Sequence, residues 1–492
     1  MTPPRIEDLD PSSTTLNSRR RAFTRALRLF REAAERVPAY KDFLKKARVR
    51  PSSIETEEDF AHVPLTDKPH YFSAYNLAEL SWDGSLERSK YISTSSGSTG
   101  IPFFWPRGEE QDRVVGQKAQ HLYTRIFDAQ TGPTLFVNSF SLGTWIAGIE
   151  FFNAARWSAE HGTPLTIITP GIDKHETVRQ IKKLSPLFSR IILAGYPPFI
   201  KDILEYGIEC GIDWDQLDVR LLFAGEAVSE TWRSWVLKMI GKNPNDLTLT
   251  ANIYGMAESG VVAHETPLSQ LVRRSLSSLT SPELPAATRV TGLYQFYPRA
   301  RYFEVVDRDS LVLTANAGLP LIRYSTRDNG GVLWQNTLPA SIHDHLLTLA
   351  REHAVPLTEW RLPFVYLYGR KDLSISLYAL IIYNENVKYA LEHSRYYARV
   401  SGLFTMSVVH TKQMDQRFKI IIELSPGTRP TSALRLALTD EIAKNIRVVN
   451  SEYAKLCSAV GKRAQPHLTL VPYGEIQTVR GKKHRWVQPT QR

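Results

Sequence analysis

The sequence predicts an α/β protein: a large N-terminal domain with parallel sheet and a β-rich part, followed by a small α+β domain. Three observations lead there. Between residues 134 and 240, short apolar runs of strand length alternate with helical stretches, the pattern of a parallel sheet covered by helices. From about 290 to 369 the apolar runs are separated by Asp/Gly turns instead, as in antiparallel strands. After Asp372 strands and helices alternate again on a smaller scale.

Taken in order, residues 1–15 are rich in Pro, Ser and Thr and read as irregular, and 16–46 read as helix interrupted at Pro38. Lys90-Tyr91-Ile92 is β-like, and Glu109 to Phe127 is helical. Thr134–Asn138, Leu165–Thr169, Arg190–Ala194 and Val219–Ala224 read as buried strands. Helices are expected at Gly148–His161, Asp173–Phe188, Pro198–Tyr206 and Ser229–Ile240. Gly292–Phe296, Tyr302–Val306 and Ser310–Thr314 are the antiparallel strands, while 265–289 and 336–362 carry no readable period. The tail reads Ile375–Tyr383, Glu385–Ser394, Thr405–Thr411, Phe418–Leu424, Thr431–Arg447 and Leu468–Pro472. There is no internal repeat.

At 492 residues the chain is long enough for two or three domains. Its 42% hydrophobic and 23% charged residues are ordinary for a globular protein. Two cysteines, Cys210 and Cys457, exclude a disulfide framework and a Cys-based zinc cluster. The N-terminus lacks an apolar signal-peptide core, and no apolar run nears the ~20 residues a membrane helix needs. A cytoplasmic protein with no membrane partner is expected. The net charge of +11 raises nucleic-acid binding. However, the arginines at 19–31 are interleaved with Phe23, Leu27, Leu29 and Phe30, which suits an amphipathic helix with a solvated basic face. No helix-turn-helix, zinc-finger or RNP-type motif accompanies them, so no nucleic-acid partner is expected. A nucleic-acid binder would show salt-sensitive oligonucleotide binding and release no pyrophosphate.

The chemistry is concentrated in short motifs. Ser93-Thr94-Ser95-Ser96-Gly97-Ser98-Thr99-Gly100 offers hydroxyl donors and glycines that let backbone N–H groups approach an anion. It suits a polyphosphate, though a solvated Ser/Gly loop has the same composition. It is not a Walker A loop, because no Gly-Lys-Ser/Thr closes it. Ala224-Gly225-Glu226 ends an apolar strand, where a glycine admits a planar ring at the sheet edge; an ordinary strand-to-helix turn reads the same way. Then come Asn252-Ile253-Tyr254-Gly255-Met256-Ala257-Glu258, Tyr324-Ser325-Thr326-Arg327-Asp328, Gly369-Arg370-Lys371-Asp372 and Gly481-Lys482-Lys483-His484-Arg485.

In this order and spacing the series resembles the adenylate-forming (ANL) superfamily of acyl-CoA synthetases, peptide-synthetase adenylation domains and luciferases. Val63-Pro64-Leu65-Thr66-Asp67-Lys68 and Leu321-Ile322-Arg323-Tyr324 resemble its phenylacetate–CoA ligase branch, and the resemblance covers roughly residues 60–490. It implies an adenylation domain over 1–369, a hinge at 370–372 and a mobile C-terminal domain over 373–492.

By that resemblance Ser95, Ser96, Gly97, Ser98, Thr99 and Gly100 hold the β- and γ-phosphates of ATP. Gly225 and Glu226 lie against adenine. Asn252, Tyr254, Gly255, Met256 and Ala257 belong to the nucleotide site, with Tyr254 on the ring and Glu258 on Mg²⁺. Asp328 takes the ribose diol, Arg370 reaches the nucleotide, and Asp372 is the hinge residue. Lys482, with Lys483 second, closes on the carboxylate and α-phosphate; a basic solvated tail is the other reading. Gly143, Trp145, Gly195, Tyr196 and Pro197 suit a pocket for a flat aromatic acid, and equally suit core packing. Asp202 is the candidate base for an amine, or a helix-surface residue.

One departure stands out. Acyl-CoA synthetases carry a basic residue and a glycine after the hinge, in a loop lining the pantetheine tunnel. Here the stretch is Ser374-Ile375-Ser376-Leu377-Tyr378-Ala379-Leu380. The resemblance therefore leans towards stand-alone, marinacarboline-type amide bond synthetases. These join a β-carboline-like aryl acid to an amine with ATP and Mg²⁺ and need no carrier protein. An aryl–CoA ligase is the alternative.

Overall fold

The structure, a computed structural model, describes residues 18–95, 103–276, 290–334, 340–355, 360–370 and 374–476. These fall into two units. The larger runs to Thr94 and continues through Phe104–Gly195 and from Ile200 to 370; the smaller is chiefly the chain from 374 onward, with which Ser95, Phe103 and Tyr196–Phe199 group.

The larger unit begins with α1 (Ser18–Arg36), α2 (Pro38–Lys46) and α3 (Glu57–Ala61). Pro38 opens α2, where its missing N–H costs nothing. Thr56 and Asp59 form a reciprocal cap on α3. The arginines of α1 find carboxylates on its outer side, Arg19 with Glu57 and Arg36 with Asp83, while Phe23, Ala26 and Phe30 are buried. A ribbon of β1 (Tyr91–Ser95) and β2 (Phe103–Arg107) follows, then α4 (Glu109–Arg125).

Next, strands and helices alternate: β3 (Thr134–Asn138), α5 (Ile146–Glu160), β4 (Leu165–Ile168), α6 (Lys174–Leu184), β5 (Arg190–Gly195), α7 (Pro197–Glu209), β6 (Val219–Ala224), α8 (Glu230–Met239) and β7 (Thr250–Met256). Every residue of β3 and β5 is buried, as strands covered on both faces require. The second half contains β8 (Gly260–His264), α9 (Pro267–Ser275), β9 (Gly292–Gln295), β10 (Tyr302–Val306), β11 (Ser310–Ala317), β12 (Leu319–Leu333), α10 (Ala340–Glu352) and β13 (Phe364–Arg370).

Among the described residues these strands form one eleven-stranded sheet, ordered β10-β11-β12-β13-β9-β8-β7-β6-β5-β3-β4. Strands β4, β3, β5, β6 and β7 are parallel. The β7–β8 hairpin reverses direction, and antiparallel pairing continues to β10. The β-rich part expected after residue 290 is thus the other half of the same sheet. Helices α9 and α10 lie in the stretches that carried no readable period; α9, capped by Thr266, spans only Pro267–Ser275, and its Ser269 and Gln270 are as deeply buried as its apolar residues.

The smaller unit contains a hairpin of β14 (Ser374–Leu377) and β15 (Leu380–Tyr383), then α11 (Asn384–Glu392), β16 (Val400–His410), β17 (Gln416–Leu424), α12 (Ser432–Val449), α13 (Ser451–Val460) and β18 (His467–Val471). Strand β17 pairs antiparallel to β16 and parallel to β18. Its alternate residues Phe418, Ile420 and Ile422 are fully buried in one apolar core with Leu438 and Ile442 of α12, the period-two pattern of a half-covered sheet. Among the described residues no helix is long and apolar enough to cross a membrane.

Candidate active site

Parallel strands bring their C-terminal ends to one edge of the sheet, where open α/β folds bind ligands. Here that edge carries Asn138, Gly195, Gly225 and Gly255 on adjoining strands. Gly225 has φ +89° and is exposed, a conformation that excludes most side chains. Gly255 is exposed on the next strand. Between them Asn252, fully buried, donates from Nδ2 to the Glu226 carbonyl at 2.9 Å. The Asn252 N–H donates to Glu265 Oε2 at 2.9 Å. Both Glu265 oxygens are held at 2.7 Å by the Arg233 guanidinium, and both side chains are fully buried. A buried carboxylate needs such a partner.

Beyond this edge the hairpin and β12 contribute a second group. Tyr254 donates from its phenol to Asp328 Oδ2 at 2.5 Å. Its ring has Tyr294 and Phe303 as neighbours, with centroids at 5.8 and 6.5 Å, and the residue is only 7% exposed. The expected aromatic face of Tyr254 is therefore largely covered by protein, and its hydroxyl marks the position of Asp328. Across the ladder, Asp328 is the register partner of Arg370, so the ends of two sequence motifs lie side by side in the backbone.

A third group surrounds Glu258, 8% exposed. Its Oε1 accepts from the Tyr324 hydroxyl at 3.1 Å and is ion-paired with the Lys68 ammonium. Lys68 arrives there because residues 63–66 are stitched to β12. Thr66 N–H donates to the Arg323 carbonyl at 3.1 Å, and Ser325 N–H donates to the Thr66 carbonyl at 2.9 Å. Arg323 reaches back to the carbonyls of Ala61 and Val63 while its Nε holds Glu304 at 3.1 Å. The stretches 63–68 and 321–324, far apart in sequence, thus form one corner of the site.

No protein-family model matches the chain, and no curated protein matches it either. Among solved structures the chain is similar to 2-hydroxyisobutyryl-CoA ligase in complex with 2-HIB-AMP and CoA in the thioesterification state. The TM-score is 0.66 at 14% identity, over 97% of this chain and 91% of that one. An open conformation of the same ligase gives 0.54 at 15% identity, over 95% and 90%. The chain has the adenylate-forming fold. Amide bond synthetase McbA from Marinactinospora thermotolerans matches at 13% identity over 89% of this chain and 72% of that one, with a TM-score of 0.49, a similarity too low to bear on fold or reaction.

Within the adenylate-forming fold, the remaining expected residues are distributed as follows. Ser96, Gly97, Ser98, Thr99, Gly100, Asp372, Lys482 and Lys483 lie outside the described residues. The strand leading into the hydroxyl/glycine stretch is held at Thr94, whose N–H donates to the Thr144 carbonyl at 2.8 Å and which bridges Trp145. Gly143, at φ +91° with open space around it, and Trp145, half-buried, therefore run beside that strand. Gly195 sits tightly against Ile200 and Ser139, where a Cβ would meet atoms at 3.2 and 3.5 Å. Tyr196 and Pro197 group with the smaller unit. Asp202, read as a candidate base or a helix-surface residue, lies on α7.

Magnesium takes hard oxygen donors and commonly one carboxylate plus phosphates. Glu258 supplies an anionic oxygen, and the Lys68 ammonium beside it shows that its surroundings accommodate a cation. The donor set fits. Lys68 and Tyr324 were quoted in the sequence motifs without a role; a lysine closing the first motif and a tyrosine opening the second were the available signals.

Proposed function

We propose that the chain activates a carboxylic acid with ATP and Mg²⁺ and passes the acyl group to an amine, forming an amide. The carboxylate oxygen attacks the α-phosphorus, the bond to the bridging oxygen breaks, and pyrophosphate leaves. The amine nitrogen then attacks the acyl carbon, AMP leaves, and the nitrogen gives up a proton, for which Asp202 is the candidate acceptor. The observation that carries the reading is the convergence of Gly225, Gly255, the Tyr254–Asp328 pair and the Lys68–Glu258 pair at one sheet edge and the hairpin beside it.

In this reading adenine lies along Gly225, Glu226 and Gly255, and Asp328 takes the ribose, with Arg370 on the adjoining strand. Glu258 would hold Mg²⁺, which neutralises phosphate charge. Lys68 is the cation nearest Glu258 and a partner for phosphate oxygens. Residues 95–100 hold the outer phosphates, and Lys482 or Lys483 stabilises the charge that builds up during attack. The acid would be aryl or heteroaryl, resting against Gly143, Trp145 and Gly195. The post-hinge stretch supports an amine over coenzyme A. Where the resemblance expects a glycine, Tyr378 and Ala379 make the β14–β15 turn, both with left-handed φ, +51° and +64°. The second reading, an aryl–CoA ligase, is favoured by the similarity to 2-hydroxyisobutyryl-CoA ligase.

The test is incubation with ATP, Mg²⁺ and a panel of aryl carboxylic acids, each with coenzyme A or an arylethylamine, and products read by mass spectrometry. Amide without thioester supports the first reading. Thioester alone supports the second. An absence of AMP and pyrophosphate with every acid removes both.

A further inference from the structure

Three buried charged side chains hold the turn that carries Glu258, and none belongs to the site as described above. Arg107 on β2 donates to the Ala257 carbonyl and, at 2.7 Å, to the Ala317 carbonyl. Arg301, just before β10, donates to the carbonyls of Ser259 and Val261 at 3.3 and 3.2 Å. Glu150 on α5 accepts from the Val261 N–H at 3.2 Å. Arg107, Arg301 and Glu150 are 3, 4 and 8% exposed. Gly260 between these contacts has φ +68°, and any Cβ there would overlap Glu150 Oε1. Backbone groups on both sides of Glu258 are thus fixed from three separate chain segments.

Charges are a costly way to hold a hairpin turn. Apolar packing of the same volume is often as stable or more so. What guanidinium and carboxylate groups add is direction, because each fixes a particular carbonyl or N–H. The same groups line a water-sized cavity with Ser259 and Asn316. Among the described residues Arg107 Nε, Arg301 Nε, Ser259 Oγ and Asn316 Oδ1 are buried without protein partners, the polar setting in which ordered water completes a network.

We propose that Arg107, Arg301 and Glu150, with water in that cavity, are positioning residues that set where the Glu258 carboxylate presents itself to a divalent cation. This rests on the reading above that Glu258 holds the cation. Outer partners of a metal ligand typically change metal affinity by about 10- to 100-fold.

The test uses Mn²⁺ with α,β-methylene-ATP and the full chain, counting free Mn²⁺ by electron paramagnetic resonance, so that no acid substrate is needed. Glu258→Gln should weaken Mn²⁺ binding at least as much as any other variant. Glu150→Gln and Arg301→Lys should each raise the Mn²⁺ dissociation constant about ten-fold, with nucleotide binding in the absence of metal unchanged. If Glu258→Gln binds Mn²⁺ normally, the metal assignment itself falls. If Glu258→Gln is impaired but both folded positioning variants bind as the wild type does, the assignment stands and the proposal is overturned. Should neither variant fold, hydrogen exchange in the wild type decides. The Val261 amide should be as protected as the amides of β7, and free exchange there overturns the proposal.

Discussion

The Tyr254 phenol donates to Asp328 Oδ2 at 2.5 Å, so the carboxylate assigned to ribose is oriented by a ring that itself packs near Tyr294 and Phe303. Asp328→Asn removes the charge that would accept two hydroxyls, and hydrogen bonds to charged groups contribute about 1.5–3 kcal/mol. ATP affinity should fall roughly 10- to 100-fold. Tyr254→Phe keeps the ring packing and removes only the orienting bond, so the loss should be about three- to ten-fold. Calorimetric titration with α,β-methylene-ATP measures both. Unchanged affinity in Asp328→Asn would remove it from the nucleotide site.

Arg233 and Glu265 are a fully buried ion pair behind Asn252. Arg233→Met strands the carboxylate, although Arg273 lies 3.5 Å from it, and should destabilise the larger unit by about 3–5 kcal/mol. Arg233→Met with Glu265→Leu should recover much of that loss. Urea denaturation followed by tryptophan fluorescence compares the three proteins.

His264 is fully buried, and burial pushes its pKa down to about 4. Its Nδ1 lies 2.7 Å from the Glu265 carbonyl, which only accepts, so Nδ1 carries the proton. Nε2 then accepts from the Tyr297 hydroxyl at 3.1 Å, and that oxygen accepts from His121 Nδ1 at 2.9 Å. The unfolded chain binds a proton here near pH 6.5 and the folded chain does not until about pH 4. Stability is therefore complete above the upper value and is lost as pH falls through this window, by up to about 3 kcal/mol. His264→Asn keeps a donor for Glu265 and should flatten that part of the stability–pH curve. A slope equal to that of the wild type would contradict it.

Lys118 is 3% exposed, and among the described residues its ammonium nitrogen has no hydrogen-bond partner, while the Tyr297 ring lies at 5.8 Å. Burial drives its pKa well below the usual lysine value. The unfolded chain gains a proton that the folded chain resists, so the cost grows as pH falls below the ordinary lysine range. Lys118→Met should stabilise the protein by about 1–3 kcal/mol at pH 7, with a smaller gain near pH 10. Thermal denaturation at the two pH values reads the difference.

Much of this was legible in the sequence because the responsible forces are local. Buried parallel strands such as Val219–Ala224 announce themselves as unbroken apolar runs, and glycines 225 and 255 marked the ends of β6 and β7. The continuity of the sheet was not legible, since the pairing of β13 with β9 joins segments about seventy residues apart. The partners of Glu258 were not legible either. Lys68 and Tyr324 meet it only through long-range pairing, and Glu150, Arg107 and Arg301 reach its turn from three distant segments with no motif of their own in the sequence.

The stitch between Thr66 and β12 spans 256 residues, and this sets a schedule for the newborn chain. Its partner strand does not exist until most of the polypeptide has been made. At about 5–20 residues per second, translation takes roughly 13–50 s to cover that distance. Throughout that interval the segment from Val63 to Lys68 waits without its docking strand. Synonymous codon changes that slow synthesis between residues 66 and 325 should lengthen this exposure and lower soluble yield without altering one amino acid of the product.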